Sequence, residues 1–337
     1  MSTAGRSRPT LDEVALLAGT SRATVSRVVN GSDRVRPATR EAILAAVREL
    51  GYVPNFAARS LMINRTDTFG FVVPEAQTRV FSDDAFFATV MQGAGEELDR
   101  ANKQLLLMLA PTSTSYERIE RYATGGHVDG VIIASMHGPD PLLRALLAAQ
   151  VPVVASGRPL SMDGVPYVDV DHRRAVQEAM DHFYRTGRAN VATIAGPQEM
   201  VAGVERLEGY LNAVAAAGAE PLVAYGDFTR DSGYAAMTEI LGSGRPVDAL
   251  FAASDLMADG AIRALRNAGL SVPNDVAVIG FDDSAVARYS DPPLSTIRQP
   301  LYEIGTTLAR QILAIANGDQ IDQAVLLHTE LVLRESS

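Results

Sequence analysis

The sequence predicts an α/β protein: a small all-α head followed by a larger body of parallel sheets. Three observations carry this prediction. Over the first fifty residues apolar side chains recur at helical spacing. From Thr68 onward short continuous apolar runs alternate with amphipathic stretches, and 337 residues exceed what one hydrophobic core organises. A composition of 47% hydrophobic and 21% charged residues is that of a globular chain. The absence of cysteine excludes disulfides, Cys-ligated zinc and thiol catalysis. No uninterrupted apolar run follows the basic residues near the start. Neither an export signal nor a membrane span is therefore expected, and the expected location is cytoplasmic.

The formal charge of −10 conceals a split. Residues 1–65 hold ten arginines against five carboxylates, a net of +5, so the remainder carries −15. A basic head on an acidic body suits a module that meets nucleic acid while the rest of the chain avoids it.

In the head, Leu11, Val14, Ala15 and Ala18 fall at i, i+3, i+4 and i+7, one face of a helix. Thr10 suits its N-cap, with Glu13 completing a capping box. Gly19 supplies a turn, and Ser21 is placed to cap a second helix over about Arg22–Asn30, with Val25, Val28 and Val29 inward. A third helix is expected from Pro37 to just before Gly51, its Ile43, Leu44, Val47 and Leu50 closing a three-helix core. Two short helices around a tight turn form a helix-turn-helix, whose second helix enters a DNA major groove. Arg22, at the start of that helix, can donate two hydrogen bonds to a guanine, and Ala23 can touch a thymine methyl. Thr24, Ser26, Arg27, Asn30, Arg34 and Arg40 suit phosphate contacts, and Thr10, Leu11, Ser21 and Tyr52 complete the expected contact set.

In the body, candidate strands are Phe69–Val73, Leu105–Leu109, Gly130–Ala134, Val151–Ala155, Val191–Ala195, Leu222–Tyr225, Ala249–Ala253 and Val276–Phe281. Amphipathic stretches such as Phe86–Ala101, Arg173–Arg185, Glu205–Ala217 and Leu256–Ala268 lie between them, which indicates two parallel sheets covered on both faces.

The segment DEVALLAGTSRATVSRVVNGSDRVRPATREAI resembles the DNA-binding domain of the lactose/galactose repressor (LacI/GalR) family, and GYVPNFAARSL resembles that family's hinge helix. The resemblance implies a helix-turn-helix domain over 8–53, a hinge over 54–65 and a periplasmic-binding-protein-like effector domain of doubly wound sheets over 66–335. Its N-lobe would span about 66–164 and 295–323, its C-lobe about 165–292 and 324–335, with crossings near Gly164, Pro292–Ser295 and Gln323. It further implies a homodimer on palindromic double-stranded operator DNA, with paired hinges widening the minor groove. Leu61 would be the wedge between central bases, with Asn55, Ala57 and Ala58 on the same hinge. About eight residues are too few for an isolated helix, so folding of the hinge on DNA fits the physics.

In such sheets ligands sit beyond the carboxyl ends of strands. That places Phe86, Phe87, His137, Arg158, Asp227, Phe228, Asp255, Asp282 and Gln299 as effector candidates, and the resemblance adds Arg206. Carboxylates and a fork-shaped arginine grip adjacent hydroxyls while aromatic faces cover a pyranose ring, so a sugar is the expected effector. The stretches TRVFSDDAFFATV, AGPQEMVAGVERLEGY, YGDFTRDSG and FAASDLMA resemble the cellobiose- and β-glucoside-responsive branch of the family, with another sugar or a purine-like corepressor as the alternative. Ala202 and Phe228 depart from the lactose pattern. No nucleotide, serine-hydrolase or zinc-protease signature occurs, and no two of the five histidines are spaced i, i+4, so neither catalysis, a cofactor nor a metal is expected. A secreted solute-binding protein would share the body but lack the head. No leucine heptad follows the final strand-like segment, which favours a dimer over a tail-joined tetramer.

Overall fold

The computed structural model describes residues 9–29, 32, 34–53, 65–75, 80, 86–160 and 162–337. The chain divides into two units, Met1–Thr66 and Asp67–Ser337.

The head comprises α1 (Leu11–Leu17), α2 (Arg22–Val29) and α3 (Pro37–Leu50). The capping box forms: the Glu13 amide donates to Thr10 Oγ1 at 3.3 Å and the Thr10 amide to Glu13 Oε2 at 2.7 Å. Gly19, at φ +60°, makes the left-handed turn into α2, where the Thr24 amide donates to Ser21 Oγ at 3.2 Å. Val14, Ala15, Val25, Val28, Ile43, Ala46 and Tyr52 form the core. Leu44 does not join it and is 40% exposed. The buried stripe of α3 runs through Ile43 and Ala46, with Val47 and Leu50 packed beside it, and Leu44 sits one residue, about 100°, off that stripe.

The body holds two six-stranded sheets. The first contains β1 (Thr68–Val73), β2 (Gln104–Leu109), β3 (Gly130–Ala134), β4 (Val153–Ser156), β5 (Tyr167–Val170) and β11 (Ala324–Leu327), in the order β11-β5-β4-β3-β1-β2 and entirely parallel. The second contains β6 (Val191–Ala195), β7 (Val223–Tyr225), β8 (Ala249–Ala252), β9 (Ala277–Asp282), β10 (Ser295–Arg298) and β12 (Glu330–Val332), in the order β12-β10-β9-β8-β6-β7. Its edge strand β12 runs antiparallel to β10.

Residues alternate between the two faces of each sheet. In the first, Phe69, Phe71 and Ile132 pack beneath α4 (Phe86–Arg100) and α12 (Leu301–Asn317), while Val72, Val131 and Ile133 pack beneath α5 (Ser113–Thr124) and α6 (Pro141–Ala148). In the second, Ile194, Leu250 and Val278 lie under α9 (Arg230–Gly242) and α10 (Asp255–Asn267), and the short α11 (Ala285–Tyr289) adds Ala287 to the same cluster. Phe251, Ile279 and Phe281 lie under α7 (His172–Arg185) and α8 (Val201–Ala216). Helices α4 and α12 touch backbone to backbone: a Cβ on Gly93 would lie 2.2 Å from the Tyr302 carbonyl oxygen, and one on Gly305 2.1 Å from that of Val90.

The crossings between lobes fall later than the sequence suggests. Tyr167–Val170 pairs with β4, so the chain stays in the first sheet past Gly164. Ser295–Arg298 pairs with β9, so the second crossing follows Arg298 rather than preceding Ser295. Ala324–Leu327 pairs with β5, which moves the third crossing from Gln323 to beyond Leu327. These strands are each four residues long; β5 carries a buried Asp169 and β10 reads Ser-Thr-Ile-Arg, so no apolar run marks those two, and the short apolar β11 does not by itself say which sheet it joins. Their membership is set by pairing between residues far apart in the chain.

Candidate functional sites: the reading face and the ligand cleft

On α2 the inward residues are Val25 and Val28, and Arg22, Ala23 and Arg27 are exposed. Thr24 and Ser26 are half-buried, Ser21 and Arg34 exposed. Arg22 lies 3.5 Å from Asp12 with both side chains about two-thirds exposed, a pairing that a nucleic acid displaces at little cost. Two expected contact residues do other work. Tyr52 packs into the head's core, 9% exposed, and the Arg40 guanidinium donates to the Ser32 carbonyl at 2.5 Å, bracing the loop before α3. Leu11 is half-buried against the same core, and Thr10 is engaged in the capping box. Asn30, Asn55, Ala57, Ala58 and Leu61, and with them the hinge, lie outside the described residues.

In the body a cleft of about 1050 Å³, its open mouth included, lies between the lobes. Phe86, Phe87, Arg158, Arg206, Phe228, Asp282 and Gln299 all line it. The first lobe supplies Phe86 and Phe87 from the start of α4, Ile304 from α12 and Ser135, Met136, Ser156 and Gly157 from strand ends. The second supplies Arg206 from α8, Phe228 after β7, Ser254 after β8 and Asp282 ending β9.

Arg206 is 4% exposed and held on every side. Its Nη1 donates to the Ala253 carbonyl at 2.6 Å and its Nε to His172 Nδ1 at 3.3 Å. Its Nη2 lies 3.8 Å from Asp282 Oδ1, and the guanidinium carbon stands 3.6 Å over the Phe281 ring. Gln299 donates to the same Asp282 oxygen at 2.6 Å. Asp282 at φ 117° and Phe228 at φ 65° hold backbone conformations that side chains rarely adopt. The Phe228 ring lies against Gly196, where a Cβ would come within 2.4 Å of it.

Asp169 and His172, absent from the expected set, also line the cleft. Burial pushes the Asp169 carboxyl up, but His172 and the amides of Arg158 and Val170 outweigh it and hold the group below the usual carboxylate range. A polar residue inside a short strand gives no apolar signal, which is why sequence periodicity passes over it.

Three expected ligand residues stand elsewhere. Asp255 is 1% exposed behind the wall, where it accepts from the Ser284 amide at 2.7 Å and from Thr296 Oγ1 at 2.5 Å. It is a strut tying β9, β10 and α10. Asp227 accepts from the Thr229 amide and hydroxyl at 3.0 and 2.6 Å and shapes the turn into α9. His137 Nε2 lies 2.8 Å from Glu75 and its Nδ1 3.5 Å from Glu199, while the Gly138 amide donates to the Glu199 carbonyl at 2.7 Å. Glu199 belongs to the second lobe, so this group joins the lobes beside the cleft. Arg158 lines the cleft yet spans the lobes too, reaching Glu205 of α8 at 2.5 and 3.1 Å.

Asp282 and Asp283, adjacent in sequence, diverge. Asp282 faces the cleft, whereas Asp283 is gripped by Arg298 at 2.7 Å and by Arg334 at 2.5 Å. Burial opposes its charge, and the two arginines prevail, holding its carboxyl below the usual range. The pair therefore forms no acid/base dyad. No group of histidine and carboxylate side chains placed to hold a metal ion occurs among the described residues.

A helix-turn-helix head on one chain with a two-lobed body, whose cleft mixes aromatic walls with buried polar groups, defines the class: a DNA-binding regulator that responds to a small molecule. Residues 10–55 match the bacterial regulatory proteins of the lacI family, and residues 180–337 a periplasmic binding protein-like domain. The chain is 48% identical to the HTH-type transcriptional regulator CelR of Thermobifida fusca, over 98% of this chain and 99% of that one. Among solved structures it is similar to a transcriptional regulator CelR–cellobiose complex, with a TM-score of 0.78 and 47% identity, covering 98% and 100% of the two chains. It is also similar to the Lac repressor dimer bound to operator and the anti-inducer ONPF, with a TM-score of 0.86 and 26% identity, covering 98% and 99%. The chain belongs to the LacI family of transcriptional regulators.

Proposed function

We propose that the protein is a cytoplasmic, dimeric repressor that leaves a palindromic operator when cellobiose or a related β-glucoside fills the cleft. The observation that carries this reading is the cleft itself. A fixed arginine fork, two carboxylates and an amide lie between aromatic walls, and a relative 47% identical over nearly the whole chain is known as a cellobiose complex. A flat disaccharide has this pattern, with hydroxyls at its edge and C–H groups on its faces. In this reading Arg206, Asp282 and Gln299 grip hydroxyls, and Phe86, Phe87 and Phe228 cover the rings. On the head Arg22 reads a guanine, Ala23 adjoins a base, and Ser26, Arg27 and Arg34 hold phosphates. No catalytic role is assigned.

Operator binding and sugar binding then oppose each other, and by linkage each weakens the other by one factor. The test is fluorescence anisotropy of labelled operator DNA against titrated sugars. Cellobiose is expected to release the DNA where lactose and maltose do not. Release by another sugar alone would sink the cellobiose assignment, and tightening by the ligand would make it a corepressor.

A further inference from the structure

The contacts of Arg206 lead out of the cleft toward the first lobe crossing. Asp169 is the penultimate residue of β5 in the first sheet, and three residues later His172 opens α7 of the second. His172 Nε2 lies 3.1 Å from Asp169 Oδ1, and His172 Nδ1 lies 3.3 Å from Arg206 Nε. An arginine Nε–H only donates, so Nδ1 accepts, and the imidazole carries its proton on Nε2, donated to Asp169. Both side chains are buried, His172 at 2% and Asp169 at 7% exposure. Asp169 is itself anchored by the amides of Arg158 at 2.9 Å and Val170 at 2.8 Å. A line of hydrogen bonds thus starts on first-lobe backbone, passes the crossing, and ends on the side chain that reaches Asp282.

We infer that His172 is a positioning residue for Arg206, with Asp169 selecting the ring tautomer that makes it one. The Ala253 carbonyl fixes one nitrogen of the fork and the Phe281 ring its plane. His172 fixes rotation about the remaining edge, so the aim of the guanidinium depends on the crossing holding Asp169 and His172 together. The inference deepens the sugar reading and rests on it for its affinity measurement.

The test uses His172→Asn and His172→Leu in the full-length chain. An asparagine Oδ1 can occupy the place of Nδ1 and accept from Arg206, whereas leucine, of similar size, cannot. Cellobiose affinity by titration calorimetry is expected to stay within about threefold of wild type for the asparagine variant and to fall on the order of tenfold or more for leucine. Operator binding without sugar is expected to be unchanged in both. Long-range ¹H–¹⁵N spectra of the unliganded protein, with His172 assigned by its loss in the variants, are expected to show a proton on Nε2 and an unprotonated Nδ1. Equal loss in both variants, no loss for leucine, or a proton on Nδ1 would overturn the inference. If wild type bound no cellobiose, the sugar reading would fail while the tautomer would still decide this one.

Discussion

The side chains proposed above to meet DNA stand in solvent: Arg22, Ala23 and Arg27 are exposed on α2, and Arg22 has only a loose 3.5 Å tie to Asp12. In the body the side chains proposed to grip the ligand are buried: Arg206 and Gln299 are 4% and 6% exposed and bonded to their neighbours. The contrast follows from what each surface reads. DNA brings its own charge and shape, and flexible arginines adapt to it while salt competes for the same phosphates. A neutral sugar, the ligand proposed above, offers only hydroxyls, so donors and acceptors that grip it must be aimed in advance and kept dry. The head accordingly rests on one small core, and the body on two clusters per sheet.

That comparison can be broken in several ways. The largest expected effect is Ile43→Ala. It empties the centre of the head's core and should cost about 2–5 kcal/mol, enough to unfold a domain of this size. Calorimetry should show the body's transition unmoved, and a shift of both transitions together would mean the two units do not melt independently. Arg206→Leu should lower cellobiose affinity by about 2–4 kcal/mol, because it leaves Asp282 and the Ala253 carbonyl without their cationic partner, while operator affinity without sugar persists. Arg22→Ala should do the reverse. Discrimination against a changed operator base should fall by about 1–3 kcal/mol in competition binding, with sugar affinity intact. Thr10→Ala removes the α1 cap and should cost the head about 1 kcal/mol, seen as a lower melting temperature of its transition alone.

Acid separates the two units by another route. Asp283 and Asp169 titrate below the ordinary carboxylate range when folded, so the unfolded chain takes up protons first as pH falls. Their contribution is complete above the ordinary range, near pH 4, and is lost as pH drops through their folded values. The body's transition should therefore fall steeply in that window. Asp283→Asn should flatten the slope and lower stability at neutral pH, and an unchanged slope would show that the Arg298–Asp283–Arg334 cluster is not its source.

Local pattern sufficed for the head and for the sheet interiors. Thr10 with Glu13, Gly19 and Pro37 announce helix ends through backbone chemistry that depends on a few neighbouring residues. Gly130–Ala134 and Val191–Ala195 are fully buried runs whose apolar content is their own signal. Leu44 shows the limit of such patterns, since a 100° error in helical phase turns a core residue outward.

The sequence by itself determined a basic reading head, the alternation of strands and helices, and the strand ends from which Phe228, Asp282 and Gln299 project, because each depends on residue type and short spacing. Only the tertiary structure decided which lobe holds β5, β10 and β11, that Asp282 faces the cleft while Asp283 is locked by two arginines, that Asp255 and His137 brace rather than line it, and that Asp169 and His172 stand behind Arg206. Those outcomes depend on pairings across as many as 157 residues, as between Tyr167 and Ala324, and a carboxylate or imidazole looks the same in the chain whether its partner turns out to be a ligand or an arginine.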